Sequence, residues 1–306
     1  MAKSCVIFGD SGTYKSTNMG FAAKYLYEKH RKPIRLVTAE NKEVLQPFIN
    51  AGIIEFVEVG YDLKDPLPFL VKLGRGWWPD PLNPKVLIPP KDLVTLKEAT
   101  CGYLVEGLTS LADVLMADER NKARKHAQEP VGVFSEDGFK FCAPAQAHYG
   151  FVQTTMLDRI IEFGNLPVDR VIFSAHEAKG EEADTRNAIR GPGLVGKAAT
   201  DSIPRKVGTC IHFESYAEDK IVDKVAHTEV KVRAFFMSHP DPKFQQVMYK
   251  CKPRVPVDKI PELLKKWPGG FFEPSLIKGL DEYLRVEDEL NESASSAIME
   301  WKKALR

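Results

Sequence analysis

The stretch GDSGTYKST, Gly9 to Thr17, decides the fold, because it lies where an apolar run gives way to a helical pattern. The preceding SCVIFG, Ser4–Gly9, predicts a short buried strand that ends in glycine, and the apolar positions of 15–29 recur at helical spacing. Strand, glycine-containing loop and helix, in this order, are the setting in which proteins bind phosphate chains. The segment therefore predicts a P-loop.

The parts of this motif have separate chemical tasks. Backbone N–H groups of the loop and the positive end of the helix attract phosphate oxygens, Lys15 would reach the β and γ phosphates, and the Ser16 hydroxyl would hold Mg²⁺. Tyr14 replaces the second glycine of G-x-x-x-x-G-K-[ST]. A side chain is compatible there if it points away from the phosphates, because the backbone makes the contact. We expect the nucleotide to be bound by Gly9, Asp10, Ser11, Gly12, Thr13, Tyr14, Lys15, Ser16 and Thr17; a chance glycine-rich turn and a P-loop without hydrolysis are the alternatives.

Strands and helices alternate on both sides of the motif. Strands are predicted at 34–39, 53–59, 103–105 and 170–175, with helices between most of them, which indicates an α/β fold with a mostly parallel, doubly wound sheet. Three later stretches, 207–213, 229–237 and 245–251, predict antiparallel strands at the far edge of the sheet.

The chain is interpreted as a core at 1–255 followed by a C-terminal helical extension at 256–306. Residues 60–100, rich in proline and carrying Trp77-Trp78, are interpreted as an insertion with little regular structure that packs on the core through its aromatic residues. The segment 177–205, rich in glycine and charge, predicts a mobile loop with one short helix at most.

Composition limits the possible functions. The 43 Lys and Arg residues nearly balance 42 Asp and Glu residues, which excludes a globally basic nucleic-acid-binding protein and leaves room only for a local basic groove. The five cysteines form no C-x-x-C pair, so neither a zinc site nor a disulfide framework is indicated. No run approaches the roughly 18 apolar residues of a membrane span, and we expect a soluble, cytoplasmic protein.

Three polar side chains follow predicted core strands, where an ATPase needs them. Glu106 ends YLVE and could hold Mg²⁺ directly or through water, or it could be a surface residue that favours the start of a helix. Glu40 ends IRLVTAE and could activate the attacking water, or it could cap the next helix. His176, with its neighbour Glu177, follows RVIFSA and could sense the γ-phosphate, or it could be structural.

These stretches together resemble the RecA-like ATPases, and more closely the small phage-encoded nucleotide-binding ATPases found beside recombination and replication genes. GDSGTYKST resembles the Walker A loop, and relatives of the helicase type also accept tyrosine before the lysine. TAEN resembles the strand end with the catalytic glutamate, and YLVEGLTSL resembles Walker B with Glu106 and Gly107 in place of Asp and Ser. HYGFVQTTMLDRIIEFGNLPVDRVIFSAHE resembles the sensor region of the phage group. The similarity covers roughly 1–60 and 100–254.

The resemblance implies ATP and Mg²⁺ as ligands, and catalytic roles for Lys15, Glu40 and His176. It also implies ATP sites between the subunits of a ring or filament, with Lys252 and Arg254 as fingers that act in trans. These residues belong to MYKCKPRV, a predicted strand on which Lys250, Lys252 and Arg254 share one side. The alternative is a solvated edge strand.

The family's DNA-binding loops follow the Walker B and sensor strands. By resemblance, single-stranded DNA would be bound after the sensor strand by Lys179, Arg186, Arg190, Lys197 and Arg205, with Lys122, Arg124 and Lys125 in the first loop. A merely solvated surface is the alternative, because Glu181, Glu182 and Asp184 lie in the same segment.

The site residues predict an ATP-hydrolysing protein, and the resemblance implies a role in phage DNA recombination, annealing or replication in the host cytoplasm. The alternative function is a nucleotide-gated assembly module with little or no turnover. A small-molecule kinase has less support, because neither a nucleotide-monophosphate lid nor an acceptor site is recognisable in the sequence.

Overall fold

The structure is a computed structural model that describes residues 2–126, 133–136, 139–142, 146–181, 187–195, 199–222, 225–244, 246–275 and 278–304. In chain order its elements are β1 (Lys3–Gly9), α1 (Lys15–His30), β2 (Ile34–Thr38), α2 (Gln46–Asn50), β3 (Ile54–Glu58), α3 (Pro66–Gly74), β4 (Trp78–Asp80), β5 (Asn83–Ile88), α4 (Leu93–Ala99), β6 (Gly102–Glu106), α5 (Leu108–His126), β7 (Val133–Glu136), β8 (Phe139–Cys142), α6 (Gln146–Gly164), β9 (Arg170–Glu181), β10 (Ala188–Pro192), α7 (Ala199–Lys206), β11 (Thr209–Val222), β12 (Val225–Phe235), β13 (His239–Pro240), β14 (Met248–Tyr249), α8 (Ile260–Lys266), β15 (Phe271–Phe272) and α9 (Leu280–Ala304). Single 3₁₀ turns precede α2 and α8.

The main sheet has the strand order β3-β2-β6-β9-β1-β11-β12-β15. The first six of these strands are parallel, and β12 runs antiparallel to β11 at the far edge. Because β9 lies between β1 and β6, the ends of β1, β9, β6 and β2 meet side by side along one edge. The predicted α/β class, the mostly parallel sheet and its antiparallel far edge are confirmed.

Two apolar clusters lie on opposite faces of the sheet, as alternating side chains of its buried strands require. Phe8 and Phe173 belong to one cluster, together with residues of α3, α5, α6 and α7. Ile7 and Ile172, their chain neighbours, belong to the other, together with residues of α1, α8 and α9. Helices therefore cover both faces, and the polar residues at the strand ends are left at the edge.

The insertion at 60–100 is regular, which corrects the expectation of little secondary structure. It contains α3, the β4–β5 hairpin and α4. Proline is compatible with this structure because Pro66 occupies the first turn of α3, where a missing N–H costs nothing. The Asp92 side chain caps α4 by accepting from Thr95 N–H at 2.7 Å. As expected, aromatics attach the insertion to the core, since buried Trp78 packs edge-on against Tyr103.

Two further expectations are wrong in detail. The segment after the sensor strand is not a loop, because β9 continues to Glu181 and pairs with β10, and α7 follows. The strand predicted at 245–251 is reduced to the two residues of β14, beyond which only an isolated bridge joins Lys252 to Cys210. The three basic residues expected to alternate along one strand therefore lie beyond the end of β14, although Lys250 and Lys252 still bond to the backbone of β10 and β11.

Helix α9 is anchored in the core by apolar and charged contacts. Leu280, Tyr283 and Leu284 are fully buried in the cluster that contains α1. One turn later, the buried Arg170 at the start of β9 donates to Glu287 and to Asp288, both at 2.7 Å. This ion-pair network joins the C-terminal helix to the sheet at the end opposite the P-loop.

Within the described ranges, no helix combines the length and the apolar character needed to cross a membrane. Four cysteines are buried free thiols: Cys5, Cys101, Cys210 and Cys251.

Candidate functional site

The segment after β1 has the geometry of a phosphate-binding loop. Gly9 has φ +155°, and a Cβ there would overlap the carbonyl of Phe213, so only glycine fits between the two strands. Gly12 has φ +79°. Lys15 Nζ donates to the carbonyl oxygens of Gly9 at 2.9 Å and Asp10 at 2.6 Å. The lysine therefore folds back over the loop, where a phosphate chain would replace these carbonyls as its partner.

Burial lowers the pKa of Lys15, and the negative charges of Glu40 and Asp10 oppose this shift. The ammonium group thus lies in a partly desolvated site faced by carboxylates, where an incoming polyphosphate would interact with it more strongly than in water.

Tyr14 shows why glycine is usual at its position. Its backbone is left-handed, with φ 58° and ψ 25°, a conformation that costs a non-glycine residue roughly 1–2 kcal/mol. Its side chain is 45% exposed and lines a cleft on the outer side of the loop, together with Thr17. The tyrosine ring therefore leaves the inner surface of the loop to the backbone.

Glu106, at the end of β6, is fully buried beside the P-loop. Its Oε2 accepts from Thr38 Oγ1 at 3.2 Å, and the Ser16 hydroxyl lies near the carboxylate. Its Oε1 is buried and has no hydrogen-bond partner among the described residues. Burial raises the pKa of Glu106, the bond from Ser16 opposes this, and the charge of Glu40 adds to it.

Glu40 follows the end of β2, the strand beside β6, and its carboxylate contacts Ser110 of α5 and His176 of β9. Its Oε1 accepts from Ser110 Oγ at 2.8 Å and lies 3.7 Å from His176 Nε2. Gly107 makes room for it: with φ +73°, a Cβ there would lie 2.7 Å from Glu40 Cγ and Cδ. Lys15, Glu40, Glu106 and His176, chosen from the sequence, are thus brought together at one edge of the sheet.

His176 and Glu177 turn to opposite sides. The His176 ring is 42% exposed at the edge that carries Glu40. Glu177 instead points into a buried cluster, where it contacts His212 Nε2 at 3.2 Å, accepts from Tyr249 Oη at 3.2 Å and pairs with Arg190. Burial raises the pKa of Glu177, but the bonds and positive charge of these neighbours outweigh it and lower the pKa overall. Only His176 of this pair faces the candidate site.

The basic residues proposed as trans fingers lie at the opposite end of the sheet. Lys252 pairs with Cys210 near the start of β11, and Arg254 packs on Gly208, whose N–H bonds to the carbonyl of Ser4. They do not alternate along a strand, because β14 ends at Tyr249. They are therefore not part of the candidate site of their own chain.

The residues proposed to bind DNA have different surroundings. Arg186 and Lys197 lie outside the described residues, as do the side chains of Arg124 and Lys125. Arg190 pairs with Glu177 and Asp241 and is mostly buried, so a structural role accounts for it. Lys179 lies 5.5 Å above the ring of Phe244, Arg205 pairs with Asp201 on α7, and Lys122 pairs with Asp118 and Glu119.

Sequence reasoning missed three polar residues of the site. Thr38 bonds both Glu106 and the Glu40 backbone N–H, Ser110 orients the Glu40 carboxylate, and buried Asn18 bonds the carbonyl of Tyr14. A signal existed for the first two, because both hydroxyls lie within four residues of a strand-end acid.

Comparison with known proteins finds similar folds among solved structures. No family model and no curated protein matches the chain. Among solved structures, the KaiC-like protein PH0186 from Pyrococcus horikoshii OT3 has a TM-score of 0.35 and 12% sequence identity, over 76% of this chain and 77% of that one. Since similarity at this level carries no information about activity, the assignment of the site rests on the geometry above.

Proposed function

We propose that the protein binds ATP with Mg²⁺ in the loop Gly9–Thr17 and hydrolyses it on a RecA-like core. The supporting observation is the convergence of Lys15, Glu106 and Glu40 at adjacent strand ends, although they are far apart in the chain. A lysine for the phosphates, an acid for the metal and a second acid for water are the parts that phosphoryl transfer to water requires.

The residues beside the loop fit a magnesium ion. The Ser16 hydroxyl and the buried Glu106 carboxylate are adjacent, and the unpartnered Oε1 of Glu106 leaves one oxygen for a cation or its water. When bound, Mg²⁺ would neutralise negative charge on the phosphates. Thr38 would hold the other oxygen of Glu106, so that the acid keeps one orientation.

Glu40 is the residue proposed to activate water. Its carboxylate is partly exposed, and it lies against Gly107, where Ser110 donates a hydrogen bond to its Oε1. It would accept a proton from water as the water attacks the γ-phosphate. His176, 3.7 Å from the same carboxylate, would respond to the presence of that phosphate.

A cleft next to the loop has room for the rest of the nucleotide. It has a volume of about 620 Å³ and is lined by Tyr14, Thr17, Val230 and Pro274, among others. Tyr14, Val230 and Pro274 give this cleft an apolar surface that suits a nucleoside base, and the charged Glu229, Lys231 and Glu273 line the rest of it.

Replacing Lys15 with alanine tests nucleotide binding. We expect a fluorescent ATP analogue with Mg²⁺ to bind the wild type and to lose most of its affinity for Lys15→Ala. Lys24→Ala, in the same helix and on an exposed surface, is the matched control and should bind as the wild type does. Equal affinity of Lys15→Ala and wild type would refute the P-loop assignment.

The biological setting remains a proposal based on the sequence resemblance. It comprises a phage-type recombination, annealing or replication role in the host cytoplasm, single-stranded DNA as partner, and a ring or filament in which Lys252 and Arg254 act in trans. The position of Lys252 and Arg254 at the end of the sheet opposite the P-loop supports action on a neighbour. This role is supported if the rate of phosphate release per subunit rises with protein concentration and with added single-stranded DNA. Tight binding without turnover supports the nucleotide-gated module instead.

A further inference from the structure

Asn18 connects two parts of the chain that sequence alone does not relate. It is 1% exposed and lies in the first turn of α1, directly after the P-loop. Its Nδ2 donates to the carbonyl oxygen of Tyr14 at 2.9 Å, and its Oδ1 accepts from the N–H of Leu280 at 2.9 Å. One carboxamide therefore binds both the left-handed residue of the loop and the first residue of α9.

Each of these bonds satisfies a structural need. The first N–H groups of a helix have no partner within it, and Asn18 supplies one for Leu280. The left-handed backbone of Tyr14 is unfavourable, and the Tyr14 side chain makes no capping hydrogen bond at the start of α1. The extra bond from Asn18 to its carbonyl stabilises this backbone, which glycine would adopt at little cost.

The fit between Asn18 and the segment before α9 is close. Gly279 has no side chain, and a Cβ built there would overlap Asn18 Oδ1 and lie 3.1 Å from its Cγ. The nearby segment Glu273–Ser275 lines the same cleft as Tyr14. The loop and the start of α9 thus cannot shift independently without breaking a buried hydrogen bond.

We propose that Asn18 is a positioning residue that holds Tyr14 in its left-handed conformation and thereby couples the occupancy of the phosphate loop to the start of α9. This inference rests on the proposed function, since it requires that the loop binds a nucleotide. Coupling of this kind is reciprocal. Binding in the loop stabilises the start of α9, and disturbance at Gly279 weakens binding in the loop.

Affinity measurements test one direction of the coupling. With a fluorescent ATP analogue and Mg²⁺, Asn18→Ala and Gly279→Ala should each raise the Kd about tenfold. This factor corresponds to the roughly 1–2 kcal/mol that the left-handed conformation costs a non-glycine residue. The control is Asn291→Ala, because Asn291 also donates its amide to a backbone carbonyl, that of Arg254, but far from the loop. It should leave the Kd unchanged.

A double-mutant cycle separates positioning from general destabilisation. In a Tyr14→Gly background the left-handed backbone needs no support, so Asn18→Ala should no longer change the Kd. An equal effect of Asn18→Ala in both backgrounds would overturn the proposal. Gly279→Ala leaves every residue of the loop unchanged, and it replaces Asn18→Ala as the test of the coupling if Asn18→Ala does not fold.

Hydrogen exchange of the wild type tests the other direction and needs no variant. Adding the ATP analogue with Mg²⁺ should slow exchange of the amides around Leu280, and unchanged exchange there would also overturn the proposal. Lys15→Ala distinguishes the two levels of failure. If it binds as the wild type does, the nucleotide site itself is wrong; if it loses binding while Asn18→Ala and Gly279→Ala bind normally, only the coupling is wrong.

Discussion

Replacing Gly107 with alanine should slow ATP hydrolysis about 100-fold and leave nucleotide affinity nearly unchanged. A Cβ at this position would lie 2.7 Å from Glu40 Cγ and Cδ, whereas ordinary contacts begin at 3.4 Å. The carboxylate must therefore move by roughly 1 Å, a displacement that can cost about 100-fold in rate. The motion is feasible because Glu40 is a flexible, partly exposed side chain.

The substitution also has a cost in stability. Gly107 has φ +73°, so alanine there should destabilise the fold by about 1–2 kcal/mol, which a protein of this size tolerates. Affinity should persist, because the atoms nearest to the added Cβ belong to Glu40 and not to the loop.

Steady-state phosphate release and titration with a fluorescent ATP analogue measure the two quantities separately. Glu40→Gln should give the same pattern of lost turnover and retained binding. Gly150→Ala is the matched control, since this glycine of α6 has open space around it and no positive φ. Wild-type turnover by Gly107→Ala would refute both the role and the position assigned to Glu40.

Three further changes test other parts of the structure. Glu106→Gln should raise the midpoint of thermal unfolding of the nucleotide-free protein at pH 7, because burial raises the pKa of Glu106 and disfavours its charged form. The gain should vanish below pH 4.5, the ordinary pKa of a glutamate. A lower midpoint at pH 7 would contradict the reasoning. In urea titrations, Arg170→Met should cost about 3–5 kcal/mol, because it leaves the buried Glu287 without a cation, whereas Asp288 keeps Lys3 and Lys29. Removing an exposed pair with Lys24→Ala should cost less than about 0.5 kcal/mol, and similar costs for the two variants would show that the buried network is not what stabilises α9. Burial, aided by a neighbouring histidine, lowers the pKa of His239 to about 4. The wild type should therefore lose stability as the pH falls from 6.5 to 4, where only the unfolded state takes up the proton, and His239→Gln should lose less. If the free energy of unfolding falls equally with pH in both proteins, this role is excluded.

The sequence predicts the parts of the site that are set by local rules. The loop between β1 and α1, and acids at the ends of β2 and β6, follow from apolar runs that stop at a glycine or a carboxylate. Parallel pairing then brings the ends of such strands to one edge. Glu40, Glu106 and Lys15 could therefore be placed together before any coordinates existed.

Features that depend on distant pairing were not predictable in this way. Arg190 looks like a free basic residue in a glycine-rich segment, and only the fold brings Glu177 and Asp241 to it. The proline-rich insertion looks irregular, because the pattern does not show that its prolines occupy helix starts and hairpin positions. One of the two partners of Asn18, Leu280, lies 262 residues away, beyond any periodicity in the chain.

The ion-pair network of Arg170 has a consequence for how the protein is made. Its partners Glu287 and Asp288 follow it by 117 and 118 residues. At roughly 5–20 residues per second, a ribosome needs several seconds or more to synthesise that interval. Throughout this time the guanidinium group of the nascent chain lacks the carboxylates that neutralise it. We therefore expect the sheet to reach its final packing only after α9 has left the ribosome, so that a message truncated before α9 yields an unfolded product and not a shorter folded protein.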